Sequence, residues 1–286
     1  MDLSGTGIWS SHLRYGDAGQ AAEAVAELEQ LGYPAVWIPD VGGPVLESVE
    51  NLLAATTKIT VATGILNLWM HAPADVAAAH ARLQAAHGRR FLLGIGVSHA
   101  PLIDSKSPGT YRKPLAATAA FLDGLDNAEQ PVAAEDRVLA ALGPKMLTLA
   151  ADRSRGAHPY LVTPEHTATA REVLGTGPLL LPEQTVVLSD DVDAARGIAR
   201  DWVRNYLAMP NYANNLLRSG FTEDDVHNVS DRLVDAIVVS GDEEAILARV
   251  DEHKAAGADH VCVQVLDADP TTMPMAQWRR LAPVLN

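Results

Sequence analysis

Three histidines and one aspartate stand just past the ends of short apolar runs: His12 after Gly5–Trp9, Asp40 after Ala35–Ile38, His71 after Ile59–Ile65 and His99 after Phe91–Val97. Imidazole titrates near neutrality and can give or take a proton, so the set suits acid–base work. Each histidine alone serves at least as well as a hydrogen-bonded structural group, and Asp40 as a helix cap or turn residue. What joins them is position, because the carboxyl ends of parallel strands share one face. The histidines include no His-x-His and no His-Glu-x-x-His pair, so no metal site is expected and a metal-dependent barrel hydrolase is disfavoured.

Two segments could receive an anion. Gly143-Pro144-Lys145-Met146 and Thr163-Pro164-Glu165-His166 each open a helix, where free backbone N–H groups and the positive end of the dipole point outward. Any helix start has those donors, so ordinary capping explains each one alone; two neighbouring ones together with Lys145 fit a phosphorylated cofactor better. Gly94-Ile95-Gly96-Val97-Ser98-His99 begins like a dinucleotide fingerprint, but His99 occupies the place of its third glycine and the run is not the first strand. Close packing of the strand is the better account of these glycines.

The elements that must carry these residues alternate. Eight apolar runs read as strands: Gly5–Trp9, Ala35–Ile38, Ile59–Ile65, Phe91–Val97, Arg137–Leu142, Ala157–Val162, Thr185–Ser189 and His260–Val265. They are apolar on both faces, as buried parallel strands are. Helices between them carry their own punctuation: Asp17 with Gln20 caps one that closes at Gly32, Pro73, Pro144 and Pro164 sit in first turns, Thr163 caps Pro164–Leu174, and Asp242 caps a helix ending before Gly257. The pattern predicts an α/β fold, a (β/α)8 TIM barrel, as one domain over residues 1–286. Two connections are long: Ser98–Ala116, and about seventy residues between the seventh and eighth strands, where ~2–6 is usual. The second is expected to be a helical insertion over approximately 190–240, with helices Val192–Tyr206 and Ser230–Val239 and a turn through Met209-Pro210-Asn211-Tyr212, folded over the barrel mouth.

Composition agrees with one large core: 286 residues, 48% of them hydrophobic. The formal net charge of −14 repels phosphate backbones and anionic membranes, so nucleic acid and membrane are poor partners and a small molecule is the better one. Cys262, the single cysteine, lies in an apolar run and reads as an inert small hydrophobe. With no leader-like start and no membrane-length apolar run, the expected location is cytoplasmic.

Taken together, Val36-Trp37-Ile38-Pro39-Asp40, Thr63-Gly64-Ile65-Leu66-Asn67-Leu68, Leu93-Gly94-Ile95-Gly96-Val97, Ala157-His158-Pro159-Tyr160-Leu161-Val162-Thr163-Pro164-Glu165-His166 and Ala258-Asp259-His260-Val261 resemble the luciferase-like superfamily, in its branch of actinobacterial oxidoreductases dependent on coenzyme F420. Tyr206–Asn215 is similar to a stretch of one uncharacterised subgroup. The resemblance implies a deazaflavin over the carboxyl ends of the strands, a bulge with a non-prolyl cis peptide at Gly64-Ile65 behind its ring, and a homodimer. It further implies that Asp40 and Asn67 hydrogen-bond the ring or its side chain, that Ser98 and His99 approach its reactive edge, and that Gly143, Lys145, Met146, Tyr160 and Thr163 line its tail.

The activity so implied is hydride transfer between the deazaflavin and an unknown small organic substrate. His99 is the first choice for the accompanying proton, with His12 and Asp40 in reserve. The chain departs from the sugar-phosphate dehydrogenase branch, which has a histidine after the second-strand aspartate; Val41 stands there, so that substrate and mechanism do not carry over. An FMN-dependent monooxygenase is the nearest alternative, and a non-catalytic cofactor-binding barrel a further one.

Overall fold

A computed structural model describes residue 1 and residues 3–286. Among the described residues eleven parallel strands form one sheet: β1 (Thr6–Trp9), β2 (Ala35–Ile38), β3 (Thr60–Thr63), β4 (Leu66–Asn67), β5 (Phe91–Gly96), β6 (Arg137–Leu139), β7 (Gly156–Ala157), β8 (Leu179–Leu180), β9 (Glu183–Leu188), β10 (Val238–Gly241) and β11 (Val261–Val265). Their order is β10-β9-β11-β1-β2-β3-β5-β6-β7-β8, with β4 added beside β5. The expected closed eight-stranded (β/α)8 TIM barrel is therefore wrong: the sheet is curled but open, with β10 and β8 at its two ends and no ladder joining them among the described residues.

Local chemistry explains the difference. Pro159 follows β7, and Pro178 and Pro182 bracket β8; each removes an N–H donor, and the two strands stop after two residues. The expected sixth strand Ala157–Val162 is cut short there, and Leu161 takes a left-handed backbone conformation, φ 58°. At the other end, the expected helix Ser230–Val239 stops at Ile237, and Val238–Gly241 pairs in parallel with Thr185–Leu188. Two β-branched valines running straight on from a helix gave no turn signal to mark that change.

The expected third strand Ile59–Ile65 is also divided. Ala62 pairs with Leu92 and Leu66 with Ile95, so β3 and β4 use one residue more than β5 over the same span, which is a β-bulge. The Thr63 hydroxyl fills the gap, donating to Gly94 O at 2.7 Å and accepting from Gly94 N at 2.9 Å. A Cβ on residue 94 would fall 1.9 Å from Thr63 O, so the glycine there serves close strand approach.

Alternation along the strands separates two apolar layers. Trp37, Ala62, Leu92, Val138, Leu181 and Cys262 fill the inside of the curl, while Val36, Ile38, Val61, Leu93, Ile95 and Val263 pack outward on the helices. The predicted caps form: Gln20 N donates to Asp17 Oδ1 at 2.9 Å, Ala245 N to Asp242 Oδ1 at 2.9 Å and His166 N to Thr163 Oγ1 at 3.3 Å.

Between β9 and β10 the chain folds into helices Val192–Leu207, Pro210–Arg218, Glu223–Asn228 and Asp231–Ile237. The expected turn at Met209–Tyr212 is instead the start of a helix, with Pro210 in its first turn. These helices pack Ala195, Ala199, Val203, Leu216, Leu233 and Val234 into an apolar cluster that also takes in Leu161, Val187 and Val238 beneath them. No helix is long and apolar enough to cross a membrane among the described residues.

Candidate functional site

The carboxyl ends of the strands enclose a cavity of about 340 Å³ beneath the helices Val192–Leu207 and Pro210–Arg218. Its floor comes from β1, from the bulge after β3 and from the segment after β7. Trp9 ends β1, and its Nε1 donates to Gly64 O at 3.1 Å. A Cβ on Gly64 would meet Trp9 Nε1 at 2.7 Å and His158 Nε2 at 3.0 Å, so only glycine leaves these rings in place. The Gly64–Ile65 peptide bond is cis. Tyr206, Met209 and Tyr212 descend from the helices above, and Tyr160 meets them from below: its hydroxyl lies 2.9 Å from the Tyr206 hydroxyl and donates to Gln264 Oε1 at 2.7 Å. Burial pushes the Tyr206 phenol up to about 12 and also raises those of Tyr160 and Tyr212 well above the ordinary phenol value, so all three stay protonated at neutral pH.

Of the residues selected from sequence, Asp40, Gly64, Ile65, Ser98, His99 and Tyr160 line this cavity. The Asp40 carboxylate is fully buried and holds the rim together: it accepts from Gly42 N at 3.0 Å, Asn67 N at 3.1 Å and His71 Nε2 at 2.7 Å. His71, one of the histidines at the strand ends, stands at the same rim and serves there as a hydrogen-bond partner of Asp40. Asn67 lies behind the wall, with its side chain accepting from Trp69 N at 3.2 Å and its Nδ2 buried without a partner. Ser98 takes a left-handed conformation, φ 53°, and its carbonyl accepts from Asn211 Nδ2 at 3.3 Å, which ties an overlying helix to the rim.

His99 caps the helix Ala100–Lys106 by position only, and its ring packs on Tyr212 at 4.7 Å. Its Nδ1 is buried without a hydrogen-bond partner. Burial pushes its pKa down to about 4, so the imidazole is neutral at physiological pH rather than titrating near it. The expectation of a ring poised at neutrality fails because desolvation penalises the cation.

A second space of about 300 Å³ adjoins the first through His99, His158 and Tyr160, and runs to Gly143, Met146 and Arg218. Gly143 and Met146 thus lie together. Lys145 is exposed and borders neither space, because it stands on the outer side of the first turn of Pro144–Arg153. Thr163 is buried, bordering neither space, and is spent on capping His166 N. His12 faces a different cavity of about 460 Å³ on the far side of Trp9, and its Nε2 donates to Pro270 O at 3.0 Å. Trp9 separates it from His99.

Sequence reasoning missed Trp9, His158, Tyr206 and Tyr212. The end of a strand flagged Trp9 as clearly as it flagged Asp40; the insertion expected over the mouth carried Tyr206 and Tyr212 toward the strand ends, but no local signal singled out these two side chains. No three His, Cys, Asp or Glu side chains gather as metal ligands among the described residues.

The chain is 23% identical over 316 aligned residues, covering 87% of it and 91% of the relative, to a Mycobacterium tuberculosis protein provisionally named a coenzyme F420-dependent oxidoreductase. An F420-dependent secondary alcohol dehydrogenase, solved with an F420–acetone adduct, superposes with a TM-score of 0.74 at 17% identity, over 99% of this chain and 98% of that one. The coenzyme F420-dependent tetrahydromethanopterin reductase of Methanopyrus kandleri gives 0.73 at 15% identity, over 99% of both chains. The oxygenating component of the Pseudomonas putida 3,6-diketocamphane monooxygenase, solved with FMN, gives 0.70 at 14% identity, over 99% of this chain and 96% of that one. At these identities the superpositions establish a shared fold. The model of the luciferase-like monooxygenase family matches residues 3–260, and the chain belongs to that family.

Proposed function

We propose that this protein is a coenzyme F420-dependent oxidoreductase, moving a hydride between the deazaflavin and a small organic substrate. The observation that carries the reading is the cavity itself: a flat floor of Trp9 and Gly64–Ile65 under an aromatic roof, with buried nitrogens on His99 and His158 that have no protein partner. Such a space suits a planar heterocycle, and the adjoining channel toward Gly143 and Met146 gives its tail a course. The names of the mycobacterial relative and of the two F420-dependent enzymes of the same fold favour the deazaflavin over FMN.

When bound, the deazaflavin supplies the hydride acceptor or donor carbon. Gly64 and Ile65 back the ring, and Asp40 keeps the rim rigid through its three hydrogen bonds. Tyr206, Met209 and Tyr212 exclude water above it. His99, neutral and with an unpartnered Nδ1, is the group that would accept the proton released when a substrate is oxidised, and would return it in the reverse direction. His12 and Lys145 have no part in this account, because neither reaches the cavity.

Titration of the protein with F420 and, in parallel, with FMN tests the cofactor: F420 should bind the more tightly, and preference for FMN would move the reading to the monooxygenases. His99→Ala should lower the rate of hydride transfer by about 10²–10⁴-fold while leaving the coenzyme Kd within about threefold. Unchanged turnover in that variant would remove His99 from the chemistry.

A further inference from the structure

His158 follows β7 and is 1% exposed. Its ring lies flat on the Trp37 indole, with centroids 4.3 Å apart and planes 17° from parallel, which fixes its orientation. Nδ1 is 2.7 Å from Leu181 O. A carbonyl oxygen only accepts, so Nδ1 carries the proton and Nε2 presents a bare lone pair. Burial pushes the ring's pKa down to about 4, and Nε2 stays unprotonated at neutral pH.

That nitrogen is buried without a hydrogen-bond partner. His158 lines both spaces of the site, and its Nε2 is 3.0 Å from where a Cβ on Gly64 would stand, beside the glycine that closes the floor. The neighbouring donors are spent: Trp9 Nε1 on Gly64 O, and the Tyr160 hydroxyl on Gln264 Oε1. His260, the other imidazole beside Trp37, differs, because its Nε2 already accepts from Trp37 Nε1 at 3.2 Å and it does not line the cavity. A buried acceptor left unmade on a cavity wall is a place for a ligand's donor.

We infer that His158 is a recognition residue whose Nε2 accepts a hydrogen bond from a ring N–H of the heterocycle resting on Gly64–Ile65. The donor is the imide N–H, the one N–H that oxidised flavin and deazaflavin rings share. The inference rests on the cofactor class proposed above, and it adds that ligand recognition on this floor demands a donor rather than an acceptor.

The test compares dissociation constants, followed by absorbance or fluorescence, for F420 and FMN and for the same two rings methylated at the imide nitrogen. Wild-type protein should bind the methylated ring roughly tenfold more weakly than its parent. His158→Asn keeps an amide donor for Leu181 O but cannot place an acceptor at Nε2. In it the parent ring should weaken by roughly tenfold and the parent-to-methyl difference should shrink to within about twofold. Equal wild-type affinity for parent and methylated rings would overturn the inference, and so would full discrimination persisting in His158→Asn, which would mean that the methyl is excluded by its bulk. Failure of both parent rings to bind would overturn the cofactor reading and this inference with it, whereas parent binding without discrimination sinks the inference alone.

Discussion

Trp9, Gly64 and His158 under the cavity are each fixed by a contact to backbone or to a buried ring, whereas Tyr206, Met209 and Tyr212 above it ride on helices that pack mainly against one another. Floor residues come from strand ends, where the sheet's ladder sets the backbone and leaves little freedom to the side chain. Roof residues reach the site through the Tyr160–Tyr206 hydroxyl pair and the Asn211 bond to Ser98 O. A rigid floor suits the ring proposed above, and a roof packed mainly by its own helices can vary with the substrate without disturbing it.

The sharpest way to break the comparison is to disturb the floor by one methyl group. Gly64→Ala puts a Cβ 2.7 Å from Trp9 Nε1 and 3.0 Å from His158 Nε2, and both rings are buried. Displacing either should cost about 1–3 kcal/mol of stability, at the upper end here, and ring affinity should fall by up to roughly a hundredfold. A thermal melt and a cofactor titration read the two effects together. Wild-type values in both would mean that the floor yields as easily as the roof.

A second prediction separates the layers by pH. Glu183 opens β9 beneath Tyr160, fully buried, accepting from Thr185 Oγ1 at 2.5 Å and from Leu161 N at 3.4 Å. Burial raises its pKa from 4.5 to about 8. Because the folded value lies above the unfolded one, its contribution to stability is fully present below pH 4.5 and is lost as pH rises through about 8. Glu183→Gln keeps the shape without the titration, so relative to wild type it should gain stability across that window by more than about 1.4 kcal/mol, the worth of one pKa unit. Denaturant melts at both ends of the window measure it, and a difference independent of pH would contradict the assignment.

The smallest effect is expected at the roof. Asn211→Ala removes the bonds to Ser98 O and to the Tyr111 hydroxyl, both partly buried. Substrate KM should rise by about two- to tenfold, the worth of an ordinary hydrogen bond, while ring affinity stays unchanged. Hydrogen exchange at amides 210–218 should quicken. If ring affinity fell instead, the roof would share the work assigned to the floor.

Much of this arrangement was written locally. Short runs apolar on both faces marked most of the strands, caps such as Asp17, Thr163 and Asp242 marked helix starts, the rule that catalytic groups gather at the carboxyl ends of strands pointed to Asp40 and His99, and the family resemblance added Gly64 and Ser98, all four of which line one cavity. Those signals are legible because they depend on neighbours within a few residues. Long-range geometry decided the rest. Pairing of β10 with β9 and the proline-limited β7 and β8 left the sheet open; the Trp9 indole put His12 in another cavity; burial took His99 out of the neutral range. His158 became an unpaired acceptor only because Leu181 took its one proton. Sheet edges, side-chain directions and desolvation are set by atoms far along the chain, so they exist only once the chain has folded.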